Sequence, residues 1–207
     1  MGNSKIRYAE KIDLTSVLGP YKRAVLWVYG CCFDCPGCIA QNFRFGKYLE
    51  NDTHYLAEWF LNTGRKHLTI SGGEPMLQAG PLSEMIDIIR EKEDIGIIVY
   101  SGFEYEELQR KALNDPGIDR FLSEIDILID GRYEKDLDHN EPYRGSSNQR
   151  IITLSAHYPK KIIDDYYYNT EGRKIDLVIN EEKTMMIGVP SSDQKTIWNK
   201  IIKISDD

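Results

Sequence analysis

The sequence contains no run of about 18 consecutive apolar residues, so it carries no membrane-spanning helix. Its first residues, Met1-Gly2-Asn3-Ser4-Lys5-Ile6-Arg7, lack the apolar stretch of a secretory signal. Ile6 stands where a myristoylation signal carries serine or threonine. A basic excess is also missing: 26 Lys and Arg stand against 33 Asp and Glu, a net charge of −7. Nucleic-acid binders neutralise phosphates with a basic face. The expectation is therefore a cytoplasmic chain with neither a nucleic-acid nor a membrane partner. Repeats and low-complexity tracts are absent too. What is present, 207 residues with 41% apolar and 29% charged, is ordinary for a globular protein. A chain of this length buries roughly 70% of its unfolded surface and folds without covalent staples.

Cysteine is scarce and informative. There are four, and Cys31, Cys32, Cys35 and Cys38 all fall in one short stretch. A disulfide framework spreads its cysteines to join distant segments, and a cytosolic chain keeps thiols reduced. Metal ligation is the simplest reading. Cys31, Cys35 and Cys38 form C-x3-C-x2-C, and Asp34, Pro36 and Gly37 between them disfavour helix, leaving a loop that can curl around a compact centre. Three thiolates can hold three irons of a [4Fe-4S] cluster and leave the fourth open. The alternative is structural zinc, which wants four ligands. Only His54, His67, His139 or His157 could complete that set, and none has paired spacing. Cys32 reads as a small buried residue.

The rest of the chain alternates short β-branched runs with amphipathic ones. Strands are expected at Ala24–Tyr29, His67–Ser71, Gly96–Ser101, Ile125–Asp130 and Arg150–Ser155, with lengths suited to a buried parallel sheet. Between them, Leu56, Trp59 and Phe60 mark a helix capped by Asp52 or Thr53. Leu82, Met85, Ile86 and Ile89 share one helical face. Tyr105, Leu108 and Ala112 form another stripe, ended by Asn114-Asp115-Pro116-Gly117. This pattern predicts an α/β fold: an incomplete TIM-type barrel of about five or six parallel strands, since the units run out before eight. A hairpin of Ile175–Ile179 and Thr184–Val189 around Asn180-Glu181-Glu182-Lys183, then a helix over Ser192–Ile204 with Asp193 as a possible cap, complete the chain. Residues 1–155 read as the core, and 156–207 as an extension completing the same domain.

Four expected strands deliver polar or metal-binding groups at their C-terminal ends, the edge where parallel α/β proteins build sites. The first leads into Cys31. The second leads into Gly72-Gly73-Glu74-Pro75, either a tight βα turn or a place where a ligand meets bare backbone. The third ends at Ser101-Gly102, and the fourth at Asp130-Gly131-Arg132.

In this order, Cys-x3-Cys-x2-Cys followed by Ser71-Gly72-Gly73-Glu74-Pro75 resembles the radical S-adenosylmethionine superfamily. More narrowly, the chain is similar to the activating proteins of anaerobic ribonucleoside-triphosphate reductases. That likeness runs through Gly19-Pro20, Arg23–Val28, Cys35–Cys38, Tyr100–Phe103 and Arg144–Arg150, over about residues 5–155. Many members of the superfamily put an aromatic before the third cysteine; Gly37 here matches the activating subgroup. The resemblance implies a [4Fe-4S] cluster whose open iron binds S-adenosyl-L-methionine. It further implies reductive cleavage to a 5′-deoxyadenosyl radical and a glycyl radical enzyme as protein substrate. A flavodoxin- or ferredoxin-type donor supplies the electron. Under it, Gly72, Gly73 and Glu74 meet the methionine ammonium with Ser101, Asp130 meets ribose hydroxyls, and Arg132 meets the carboxylate or is a solvated arginine. A radical enzyme acting on a small molecule or peptide, and a non-enzymatic iron–sulfur or zinc module, are the alternatives. The stretch Ala156–Gly172, with Tyr166-Tyr167-Tyr168, departs from a compact activating protein and reads as a surface insertion or a substrate cover.

Overall fold

The computed structural model describes residues 4–179 and 184–205, with side chains to residue 200. The chain opens with a long strand, β1 (Lys5–Thr15), whose burial alternates at Ile6 and Tyr8 and then breaks step at two register shifts against its neighbour. That neighbour, β2 (Arg23–Val28), is buried at every residue, as a strand covered on both faces must be. A short helix α1 (Asn42–Phe45) and an edge strand β3 (Leu49–Asp52) follow. Three units then alternate: α2 (Thr53–Asn62), β4 (His67–Gly72), α3 (Ala79–Arg90), β5 (Gly96–Tyr100), α4 (Tyr105–Ala112), α5 (Pro116–Glu124) and β6 (Ile127–Asp130). Asp52 caps α2 by accepting from Tyr55 N at 2.8 Å, and Asp115 caps α5 by accepting from Gly117 N at 2.9 Å. Beyond lie β7 (Arg150–Thr153), α6 (Lys160–Ile163), the hairpin β8 (Ile175–Ile179) and β9 (Thr184–Gly188), and α7 (Ser192–Ser205).

Seven strands form one open sheet in the order β3-β1-β2-β4-β5-β6-β7. Leu26, Ile70, Val99 and Leu128 sit side by side across β2, β4, β5 and β6, which run parallel. Their side chains join one core with α2, α3, α4 and α5 through Phe60, Met85, Leu108 and Phe121. The opposite face is covered by the C-terminal part of the chain. Tyr158, Ile163 and Tyr167 pack on Ile98, Ile127 and Ile129, and Ile187 packs on Val25 and Trp27.

Four strands are parallel rather than five or six. β7 pairs antiparallel with β6, Ile129 beside Ile151. A parallel return needs a crossover, usually helical; residues 131–149 hold only the short turn Lys135–Leu137, so the chain doubles back. The sheet is open, and among the described residues no closed barrel forms. The pattern also missed β1, β3 and α5. The segment Ala156–Gly172 is not a surface insertion. Tyr158 and Tyr167 are buried, Tyr166 stacks on Tyr143 with centroids 3.9 Å apart and its hydroxyl donates to Ser16 O at 3.0 Å, while Tyr168 is exposed. The cap of α7 is Ser191, not Asp193. Gln194 N donates to Ser191 Oγ at 3.2 Å, and Ser191 N donates to Gln194 Oε1 at 2.8 Å, a reciprocal capping box. The hairpin turn 180–183 lies outside the described residues. Among those described, no helix is long and apolar enough to cross a membrane.

Candidate active site

The chain leaves β2 through Tyr29 and Gly30, whose φ of +95° suits glycine. Gly30 N donates to Phe43 O at 2.9 Å, closing the cysteine loop onto α1. Inside the loop, Cys38 N donates to Cys35 O at 3.2 Å around Pro36 and Gly37. Cys31, Cys35 and Cys38 are half-buried and line one cavity of about 360 Å³. Cys32, expected to be buried, is exposed and stands outside that lining. Burial pushes the Cys31 thiol up to about 11 and raises that of Cys35.

Gly72, Gly73 and Glu74 line the same cavity. Here the two glycines serve the packing of chain on chain. A side-chain carbon on Gly72 would strike the Val28 carbonyl, and one on Gly73 the Gly30 carbonyl. The contact is drawn tight by Gly73 N donating to Val28 O and Glu74 N donating to Gly30 O, both at 2.8 Å. Thus the β4 turn carries the base of the cysteine loop. Glu74 is 1% exposed. Its carboxylate accepts from Met76 N at 3.0 Å, Ser101 Oγ at 2.9 Å and Gly102 N at 2.7 Å. Burial nevertheless pushes its carboxyl up to about 7. Glu74 and Ser101, expected near one ligand, are bonded to each other.

The fourth strand end divides. Arg132 lines the cavity, its guanidinium over the Phe33 ring at 4.4 Å. Phe33 in turn meets Phe103 edge-on at 4.7 Å. Asp130 is fully buried and outside the lining. It accepts from Tyr105 N at 2.8 Å at the start of α4, and from Arg150 Nε at 3.1 Å and Nη2 at 2.5 Å. The sequence pattern places it correctly at the strand end, but its carboxylate is engaged within the fold.

Three features of the site were missed. Tyr100 lines the cavity and donates to Tyr143 O at 3.1 Å. Arg173 lines it with a side chain 1% exposed. It donates to Glu141 O, Pro190 O, Arg144 O and Gly145 O at 2.8–3.1 Å and pairs with Asp138 at 2.7 Å. Finally, residues of β9 and α7 line the cavity too. Tyr100, beside Ser101 at a strand end, was findable; Glu171-Gly172-Arg173-Lys174 reads only as a polar turn.

The three thiols share a cavity wall, and among the described residues no three such ligands converge on a single point. A [4Fe-4S] cluster distributes its thiolates over separate irons, so this donor set fits it, as three half-buried sulfurs on one loop. Of the histidines that could complete a zinc site, His67 begins β4, at the strand end opposite the cavity. Its ring bonds Tyr158 Oη at 3.1 Å.

The family model described as a 4Fe-4S single cluster domain matches residues 17–152, and the chain belongs to that family. Its relatives are narrower in kind. A protein of Enterobacteria phage T4 is 30% identical over 142 residues, covering 65% of this chain and 86% of its own length. Proteins of Vibrio cholerae and Escherichia coli are 29% and 27% identical over 159 residues, covering 70% and 72% of this chain and 97% and 99% of themselves. Each of the three is named an anaerobic ribonucleoside-triphosphate reductase-activating protein.

Proposed function

We propose that the chain activates an anaerobic ribonucleoside-triphosphate reductase by installing a glycyl radical in it. The observation that carries this reading is the single cavity lined by Cys31, Cys35, Cys38 and the Gly72–Glu74 turn, in a chain whose relatives bear that name. When bound, a reduced [4Fe-4S] cluster and S-adenosylmethionine supply one-electron cleavage of a carbon–sulfur bond, and so a 5′-deoxyadenosyl radical that takes a hydrogen atom from glycine. Cys31, Cys35 and Cys38 are the ligands. Burial pushes the Cys31 thiol up to about 11, so binding of iron there would release its proton. Gly72, Gly73, Glu74 and Ser101 receive the methionine ammonium, and the buried Glu74 carboxyl adds negative charge once a cation lowers its affinity for protons. Arg132, held over Phe33, offers its fork to the carboxylate. Asp130 acts at one remove, by aligning Arg150 and the start of α4.

The open sheet supports reading the fold as an incomplete TIM-type barrel, since its parallel strands present the site at their C-terminal ends. Residues 156–207 belong to the same domain as 1–155, because Tyr167 and Ile187 lie in its core. The setting is the cytoplasm, and the electron comes from a flavodoxin- or ferredoxin-type donor.

The test mixes the reduced, iron-loaded protein with S-adenosylmethionine and the anaerobic reductase of the same genome, and records an electron paramagnetic resonance spectrum. A doublet that vanishes when the reductase glycine is changed to alanine is expected. Turnover of a small molecule or peptide without a protein radical would replace this reading.

A further inference from the structure

The family match ends at residue 152, but the cavity continues past it. Met185, Met186, Val189, Pro190, Lys195 and Trp198 line the same space as the three cysteines. The Vibrio cholerae relative is matched over 97% of its length yet uses 70% of this chain, so this chain carries material that relative lacks.

This part of the lining is anchored at several points. Asp176 on β8 accepts from Thr15 Oγ1 at 2.6 Å and Ser16 N at 3.2 Å. Ile187 is 1% exposed against the sheet. Arg173 ties Pro190 to the loop at Arg144 and Gly145, and the Ser191–Gln194 box holds the start of α7. Such a wall keeps its shape when the cavity fills. Its chemistry is apolar with one ammonium, and two methionine thioethers adapt to an irregular partner. Ser71, Glu74, Ser101 and Arg132 add polar groups elsewhere in the lining, beside Trp27, Phe33 and Phe43.

We propose that the wall 185–198 recognises the glycine-bearing segment of the protein substrate. The segment would be an extended strip of main chain, apolar where it meets Met186 and Trp198, with an acidic side chain placed for Lys195. This rests on the reading of the site as a glycyl-radical activase: main chain that reaches the cysteine loop through this cavity passes these residues, which line it with the cysteines.

The test follows the rate of glycyl-radical formation against reductase concentration in the iron-loaded protein. Trp198→Ala and Met186→Ala should each raise the apparent KM for reductase about tenfold, as truncation of a buried anchor does. Lys195→Glu should raise it further, more so at low salt. Ile197→Ala, 58% exposed on the same helix and off the cavity, should match the parent. An unchanged KM in the three wall variants overturns the proposal. So does 5′-deoxyadenosine release without reductase that falls in step with radical yield, because the wall then serves the cofactor. A parent protein that cleaves S-adenosylmethionine but leaves no radical on the reductase refutes the reading of the site itself, and the partner named here with it.

Discussion

Ser101 Oγ donates to Glu74 Oε1 at 2.9 Å, joining the ends of β4 and β5 through their side chains. Ser101 Oγ also accepts from Phe103 N at 3.1 Å, so both turns depend on one buried carboxylate. With a folded-state pKa of about 7 against an ordinary 4.5, that carboxylate makes stability depend on pH. The folded chain binds the proton more tightly than the unfolded chain. Its contribution is therefore fully present below about pH 4.5 and is lost as pH rises through about 7. The shift corresponds to roughly 3 kcal/mol. Urea unfolding of the metal-free protein should show the midpoint falling between pH 5 and 8, and Glu74→Gln should flatten that fall. Equal slopes in both proteins would refute the assignment.

The cysteine loop separates one thiol from three. Anaerobic reconstitution should load about four irons per chain. Cys31→Ala, Cys35→Ala and Cys38→Ala should each lose them, while Cys32→Ala keeps them. Iron analysis and the visible absorption of the cluster read the result, and a Cys32→Ala protein without iron would show that the ligands are misassigned.

Asp130 is predicted to matter for stability rather than for cofactor binding. Asp130→Ala leaves Tyr105 N and the inner side of Arg150 without their acceptor, a cost of about 2 kcal/mol. Denaturant unfolding should detect it, while isothermal titration with S-adenosylmethionine on the iron-loaded protein should return the parent affinity. A large fall in affinity would restore the ribose contact that the strand-end position suggests.

Arg173 is predicted to resist its most conservative replacement. One ammonium cannot reproduce a guanidinium fork that meets four carbonyls and Asp138. Arg173→Lys should cost about 3 kcal/mol or more, and limited proteolysis should open the chain first beyond residue 173. Parent-like protease resistance would show that the hairpin is held by other contacts.

Motifs were legible wherever one residue type decides the chemistry or the backbone. The cysteine spacing, the Gly72-Gly73 turn and the strands of unbroken apolar residues all fall where their composition points. So does the cap at Asp52, whereas the helix that Asp115 caps was missed because Asn114-Asp115-Pro116-Gly117 reads as a stop. Relationships across space were not legible. β1 carries charges, and its period breaks at its register shifts. It is completed from outside by Gln78, which accepts from Arg7 N at 2.8 Å and donates to Arg7 O at 2.9 Å. The antiparallel turn of β7 depends on a loop that lacks a crossover helix, and the glycines of the β4 turn proved to serve the cysteine loop as well as any ligand.

Tyr158, Tyr166 and Tyr167 seal a face of the sheet made by residues far earlier in the chain. Arg23, fully buried, donates to Tyr158 Oη at 2.9 Å, and Tyr167 closes over Ile98, Ile127 and Ile129. On the ribosome, every strand of the sheet is synthesised before this seal exists. The nascent chain thus passes through a stage with a complete set of strands and one bare apolar side, when premature release or a pause in translation would present a surface that neighbouring chains can stick to. Ending the protein just after β7 would make that transient stage permanent.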